Sequence, residues 1–126
     1  MKLNRRNFIS ASAGIAATMS SPMVFGASRP KVVVIGGGAG GATAARYIAK
    51  DSKGAIDVTL VEPTRSYYTC FFSNLYLGGF RDFDSIGHSY GKLASDFGIN
   101  VVHDWAVDVD SSGKTVSLAG GETLNY

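Results

Sequence analysis

Lys31-Val32-Val33-Val34-Ile35, four of its five residues β-branched, runs without a spacer into Gly36-Gly37-Gly38-Ala39-Gly40-Gly41. Few folds accept that junction. An unbroken apolar run is the pattern of a parallel strand buried on both faces. Glycines at 36, 38 and 41 supply G-x-G-x-x-G, the turn by which such a strand enters a helix above a dinucleotide. Ala42 to Lys50 reads as that helix, Lys53-Gly54 as its exit, and Asp57 to Val61 as a second strand ending at Glu62.

Each part of this βαβ unit has a physical task. Gly36 permits the tight turn out of the strand. Gly38, lacking a Cβ, lets a pyrophosphate approach the backbone. Gly41 lets helix and strand pack closely. The free N–H groups at the positive end of the helix, including those of Ala39 and Gly40, face the anion. Glu62 lies 21 residues past Gly41, where a carboxylate can accept hydrogen bonds from both ribose hydroxyls and would repel the extra phosphate of NADP. The candidate cofactor-binding set is therefore Gly36, Gly38, Ala39, Gly40, Gly41 and Glu62, and it suits the ADP half of FAD and of NAD alike.

Downstream, Asp84 to Phe97 reads as a helix stopped by Gly98, and Ile99 to Val102 as the next parallel strand. Trp105 to Asp110 begins an antiparallel excursion, and Lys114–Leu118 pairs with Thr123–Tyr126 across Ala119-Gly120-Gly121-Glu122. The expected class is α/β: a Rossmann-like βαβ unit with a parallel sheet and an antiparallel β excursion. His88 and His103 read as structural or surface residues. Asp104, Asp108 and Asp110 read as turn and surface acids, because their spacing matches no metal loop, and no metal site is expected.

Residues 1–26 read as an address. Asn4-Arg5-Arg6-Asn7-Phe8-Ile9 looks like a twin-arginine export consensus, followed by a mildly apolar stretch rich in small residues. That stretch is too short and too weakly apolar for a spanning helix, and cleavage is plausible near Val24-Phe25-Gly26. The expected organisation is a signal peptide over 1–26, a periplasmic destination, and a cofactor-binding portion over 27–126 with no transmembrane segment. The segment holds Lys2, Arg5 and Arg6 and no acid, so its removal takes the net charge from +2 to −1. A near-neutral remainder offers no basic patch for nucleic acid.

Cys70, the single cysteine, leaves no intrachain disulfide or cysteine-based zinc site within this sequence. Set among Tyr67, Tyr68, Phe71 and Phe72, it reads on chemistry alone as a buried, inert core thiol. Yet it stands only eight residues beyond the carboxyl end of the second strand, where ligands of such sheets lie. The surrounding aromatic residues read mostly as packing that ties this segment to the sheet.

Val-Val-Val-Ile-Gly-Gly-Gly-Ala-Gly-Gly-Ala-Thr-Ala-Ala, Val-Thr-Leu-Val-Glu-Pro and Tyr-Tyr-Thr-Cys-Phe-Phe-Ser-Asn together resemble the flavoprotein subunit of flavocytochrome c sulfide dehydrogenase, of the FAD-dependent pyridine nucleotide-disulfide oxidoreductase superfamily. Ile86–Leu93 and Gly98–Asp104 continue the resemblance, which covers nearly everything from Lys31 to Tyr126. The resemblance implies FAD as cofactor, joined to Cys70 by a thioether at the flavin 8α-methyl, with adenine against the main chain at Ala106. It implies sulfide as substrate and a cytochrome c subunit as electron acceptor. In that family a redox-active cysteine pair takes up sulfide as a persulfide. No second cysteine occurs here, so no catalytic residue is assigned, and the chain reads as an N-terminal fragment with an incomplete domain. Two alternatives accompany this reading: a flavoprotein like sulfide:quinone oxidoreductase, which passes electrons to membrane quinone, and an inactive nucleotide-binding fragment.

Overall fold

The structure is a computed structural model that describes residues 28–126. The twin-arginine segment and its cleavage point fall outside the described residues. The first strand, β1 (Lys31–Ile35), leads into helix α1 (Ala39–Ser52) and strand β2 (Asp57–Val61). A short strand β3 (Ser66–Tyr68) and helix α2 (Ser73–Leu77) follow, then a 3-10 turn (Phe83–Ile86) and strand β4 (Gly87–Ser89). Helix α3 (Gly91–Phe97) precedes strands β5 (Asn100–Val102), β6 (Ala106–Asp110), β7 (Thr115–Leu118) and β8 (Thr123–Asn125).

Three small sheets result. β1, β2 and β5 form a parallel sheet with β2 in the middle. β3 and β4 form an antiparallel pair, and β6, β7 and β8 an antiparallel sheet. The period-2 alternation of strand side chains assigns β2 to two cores. Val58 and Leu60 point to the helix side, where Ala45 and Ala49 of α1, Tyr90 and Ile99 complete a buried cluster. Val61 points the other way and packs with Val116 and Leu118 of β7, joined by Val33, Val102 and Ala106. The domain is thus three layers deep, helices, parallel sheet and antiparallel sheet, with β2 the strand both cores share.

The expected α/β class and order of elements are observed, with three local differences. β1 is half-buried, not enclosed on both faces: it is an edge of the described sheet, pairs only with β2, and leaves Ile35 exposed. The segment Asp84–Phe97 is not one helix. Its first half becomes the 3-10 turn and β4, because the edge of β3 offers it a ladder in which Tyr67 faces His88 and Tyr68 faces Gly87. A Cβ at Gly87 would lie 3.0 Å from the Tyr68 ring, so glycine both weakens the helix and admits the aromatic. The helix begins only at Gly91, and Gly98 ends it in a left-handed conformation, as expected. Third, the aromatic residues pack unevenly. Tyr67 joins the helix-side core and Tyr68 stacks on Phe83 at 4.4 Å, but Phe71 and Phe72 are exposed.

Leu60 is fully buried, so Leu60→Ala should cost about 2–5 kcal/mol through lost transfer energy and an unfilled cavity. Val107→Ala, at an exposed position of β6, should change stability by less than ~0.5 kcal/mol. Urea unfolding of both variants would check this, and equal losses would contradict the shared-core assignment.

Candidate functional site

The carboxyl ends of β1 and β2 meet the amino terminus of α1 at the glycine run. Gly36 turns at φ +94° and its N–H donates to the Val61 carbonyl at 2.8 Å, so the turn is an extension of the parallel ladder. Gly38 caps α1 with no side-chain hydrogen bond, and no acid lies in the first turn. The opening N–H groups of the helix therefore retain their hydrogen-bonding capacity and positive partial charge for an anion. A Cβ on Gly41 would fall 1.8 Å from the Gly36 carbonyl oxygen, which only glycine allows. Gly40 has open space around the equivalent position, and Ala39 is exposed.

Glu62 is bound directly to this loop. Its Oε2 accepts the Gly37 N–H at 2.7 Å, while Oε1 accepts the Thr64 hydroxyl at 2.6 Å and the Thr64 N–H at 3.0 Å. Its backbone is fixed as well: its N–H donates to the Val102 carbonyl, and the His103 ring nitrogen Nδ1 lies 3.0 Å from its carbonyl. An acceptor carbonyl there requires Nδ1 to carry the proton. Burial is the largest influence on the carboxyl group and pushes its pKa up. The hydrogen bonds from the Thr64 hydroxyl, the Gly37 N–H and the Thr64 N–H, with the charge of His103, together outweigh it and hold the group below its ordinary 4.5. Of the roughly four lone-pair sites of an ionised carboxylate, these three bonds leave about one, on Oε2, enough to receive one ribose hydroxyl.

Tyr90 approaches the loop from below. Its hydroxyl donates to the Gly37 carbonyl at 3.0 Å, and its ring occupies the space a Cβ at residue 37 would need, 2.7 Å away. Burial, first, and then the Glu62 carboxylate raise the phenol above its ordinary 10.0; the Thr64 hydroxyl acts the other way and Tyr67 adds to the rise. The hydroxyl therefore keeps its proton, and can donate, up to at least its ordinary 10.0.

The glycine run and Glu62 are brought together by a hydrogen bond. Cys70 and Ala106 stand on other elements, and neither is a hydrogen-bond partner of the loop. Cys70 is exposed, not a buried core thiol, on the turn between β3 and α2. Its carbonyl accepts the Ser73 hydroxyl at 2.8 Å and N–H at 3.2 Å. Ala106 begins β6 opposite Leu118 and packs against the β7 core beside Val61 and Val102. Sequence reasoning missed Gly37, Thr64 and Tyr90. A threonine two residues after the acid was the available signal for one of them, since short hydroxyl side chains bond locally. Asp104 and Asp110 are turn acids, accepting from the N–H groups of Trp105 and Gly120 and of Ser112 and Gly113.

A cleft of about 440 Å³ opens beside Gly37, with Thr43, Arg46, Tyr67, His88 and Lys92 among its walls. Another, of about 480 Å³, lies between Lys31, Asp57 and Asn100 at the amino ends of the parallel strands. Ligands of open α/β sheets bind at the carboxyl ends, which argues against the second; the first meets the glycine loop only at Gly37, and Glu62 and Gly38–Gly41 lie outside its walls.

The family model for pyridine nucleotide-disulphide oxidoreductases matches residues 30–126. The chain belongs to that family. Among curated proteins it is similar to the flavoprotein chain of sulfide dehydrogenase (flavocytochrome c) of Chlorobaculum thiosulfatiphilum, with 54% identity over 44 residues, 35% of this chain and 90% of that one. Among solved structures it is similar to sulfide:quinone oxidoreductase of Aquifex aeolicus, at 27% identity and a TM-score of 0.68 over 77% of this chain. The water-forming NADH oxidase of Lactobacillus brevis gives 25% and 0.69 over 77% of this chain. The chain spans only 22% and 23% of the lengths of those two structures.

Two measurements probe this geometry. Gly41→Ala should destabilise the chain by about 1–3 kcal/mol or more, since backbone must move, whereas Gly40→Ala should be neutral or gain up to ~1 kcal/mol from helix propensity. Similar thermal midpoints for the two variants would contradict the close approach at Gly36. Glu62, with its folded pKa lowered, contributes stability that is present above its unfolded pKa and is lost as pH falls through the folded value, below 4.5. The stability difference between the natural chain and Glu62→Gln, followed by urea unfolding against pH, should shrink across that window. A difference independent of pH would remove the carboxylate as its source.

Proposed function

We propose that this chain binds FAD as the cofactor-binding portion of a flavoprotein that oxidises sulfide and passes the electrons to a cytochrome c subunit. The observation that carries the reading is Glu62 fastened to an uncapped glycine loop at the carboxyl ends of parallel strands. The residues fit an ADP moiety. Gly36 makes the turn, its own N–H spent on the Val61 carbonyl, while Gly38, Ala39, Gly40 and Gly41 offer the free N–H groups of the helix start, and Glu62 offers a carboxylate kept ionised for the ribose. Ala106 is the position for adenine against the main chain. The bound flavin would supply two-electron chemistry. The chain's own part is to hold the phosphates, orient the ribose and keep the cofactor attached.

Attachment is assigned to Cys70, by a thioether to the flavin 8α-methyl. Exposure of the thiol on a hydrogen-bonded turn supports this, as does similarity to the flavoprotein chain of a flavocytochrome c. A covalent bond retains the cofactor outside the cytoplasm, in keeping with export through the Arg5-Arg6 signal to the periplasm. Among the described residues no helix is long and apolar enough to cross a membrane. A second reading, electron delivery to quinone, is favoured by the structural similarity to sulfide:quinone oxidoreductase. A full reaction on either reading requires redox groups that this sequence, with one cysteine, does not contain.

The chain expressed with its leader should be recovered from the periplasm with visible flavin absorbance. After acid precipitation the flavin should stay in the pellet, and Cys70→Ser should release it to the supernatant. A colourless pellet from the natural chain, or an unmodified mass for its Cys70 peptide, rules out the thioether. Absence of flavin absorbance before precipitation rules out the FAD reading altogether.

A further inference from the structure

The Gly37 residue belongs to two peptide units, and each is held by a different side chain. The unit joining Gly36 to Gly37 is fixed through its N–H, which donates to Glu62 Oε2. The unit joining Gly37 to Gly38 is fixed through its C=O, which accepts the Tyr90 hydroxyl from 53 positions away. A trans peptide sets its C=O and N–H in opposite directions. Drawing the Gly37 carbonyl inward to Tyr90 therefore turns the Gly38 N–H outward, at the cap of α1 where an anion would sit. Tyr90 is suited to the task because it cannot drift. It is 5% exposed, its ring is in the helix-side core with Ala45 and Leu60, and its own carbonyl accepts the Leu93 and Ala94 N–H groups that start α3.

We propose that Tyr90 is a positioning residue for the diphosphate of the bound nucleotide, aiming the Gly38 N–H by holding the Gly37 carbonyl. The proposal rests on the nucleotide reading of the glycine loop given above and adds a residue outside the glycine motif to it. It also accounts for Gly37. A Cβ there would meet the buried Tyr90 ring, so the residue is glycine to admit the strut and not to admit the phosphate.

The test is made in flavin-free protein carrying Cys70→Ser, so that no covalent FAD fills the site, and compares the chain with its natural Tyr90 to the same chain with Tyr90→Phe, which keeps the ring and removes the hydroxyl. Affinities for ADP and for adenosine are measured by calorimetry, and the orientation of the Gly38 N–H vector by residual dipolar couplings without ligand. Loss of one hydrogen bond predicts ADP binding weakened roughly three- to tenfold, adenosine binding unchanged, and a reoriented Gly38 N–H. A merely structural role would weaken both ligands alike. An unchanged N–H vector, or ADP affinity within twofold of the chain with Tyr90, overturns the proposal. Failure of the chain with Tyr90 to bind ADP would instead sink the nucleotide reading, and the N–H vector would then decide the strut by itself.

Discussion

The Gly36 carbonyl and the α carbon of Gly41 come so close that any side chain at 41 would overlap the oxygen. That contact determines how α1 leaves the sheet. With it, the helix can fold back along β1 and β2 and bury Ala45 and Ala49 against Val58 and Leu60. Without it, the helix must tilt away, its small-residue face loses its partner, and the amino terminus no longer points past the ends of the strands. Packing and anion site thus depend on one missing Cβ. The same glycine that closes the core aims the helix dipole.

The second constraint is electrostatic and runs across β1 and β2. Glu62 would be an awkward neighbour for a diphosphate if its charge were loose, since like charges repel. Here three donors and the nearby His103 hold it, with Oε2 turned to the Gly37 N–H and Oε1 to Thr64. The carboxylate is ionised but directed, and its repulsion is tempered by the uncapped amides of α1. On the proposed reading this geometry divides the work: backbone N–H groups would take the phosphates and the carboxylate the sugar. That division is chemical, and it holds for any ADP-containing cofactor.

Features written in contiguous residues were legible before the structure. β1, β2, the turn at Gly36, the terminal acid, the left-handed stop at Gly98 and the β7–β8 hairpin all follow from local pattern and backbone sterics. What escaped is non-local. Nothing near Ser66–Tyr68 announces a strand until Gly87–Ser89 comes alongside, and nothing near Gly87 forbids a helix until Tyr68 lays its ring there. Tyr90 looks like any helix-flanking aromatic until its hydroxyl is seen on Gly37. The half-burial of β1 was missed for a related reason: a β-branched run encodes affinity for a sheet and not its place within one. In the candidate site, the turn at Gly36, the close approach at Gly41 and the acid after β2 were readable from their spacing, whereas Thr64, Gly37 and Tyr90 contribute through contacts that spacing does not encode.

Cys70 joins these two kinds of information. The sequence left open a buried thiol and one facing the ligand end of the sheet, and the exposure of Cys70 removes the first. The β3–β4 ladder continues one bond further, from the Thr69 N–H to the Ile86 carbonyl at 3.0 Å, and so holds the chain up to the residue before the thiol. Beyond it, Ser73 ties the turn from the other side, and Phe72 takes a left-handed conformation at φ +64°. That conformation costs a non-glycine residue of order 1–2 kcal/mol, a cost the Ser73 bonds and the Tyr68–Phe83 stack are placed to offset. A thiol at the tip of a free loop would lose conformational entropy on joining a cofactor. One whose backbone is held on both sides has already lost most of it, and its exposed sulfur is then presented from a nearly fixed position.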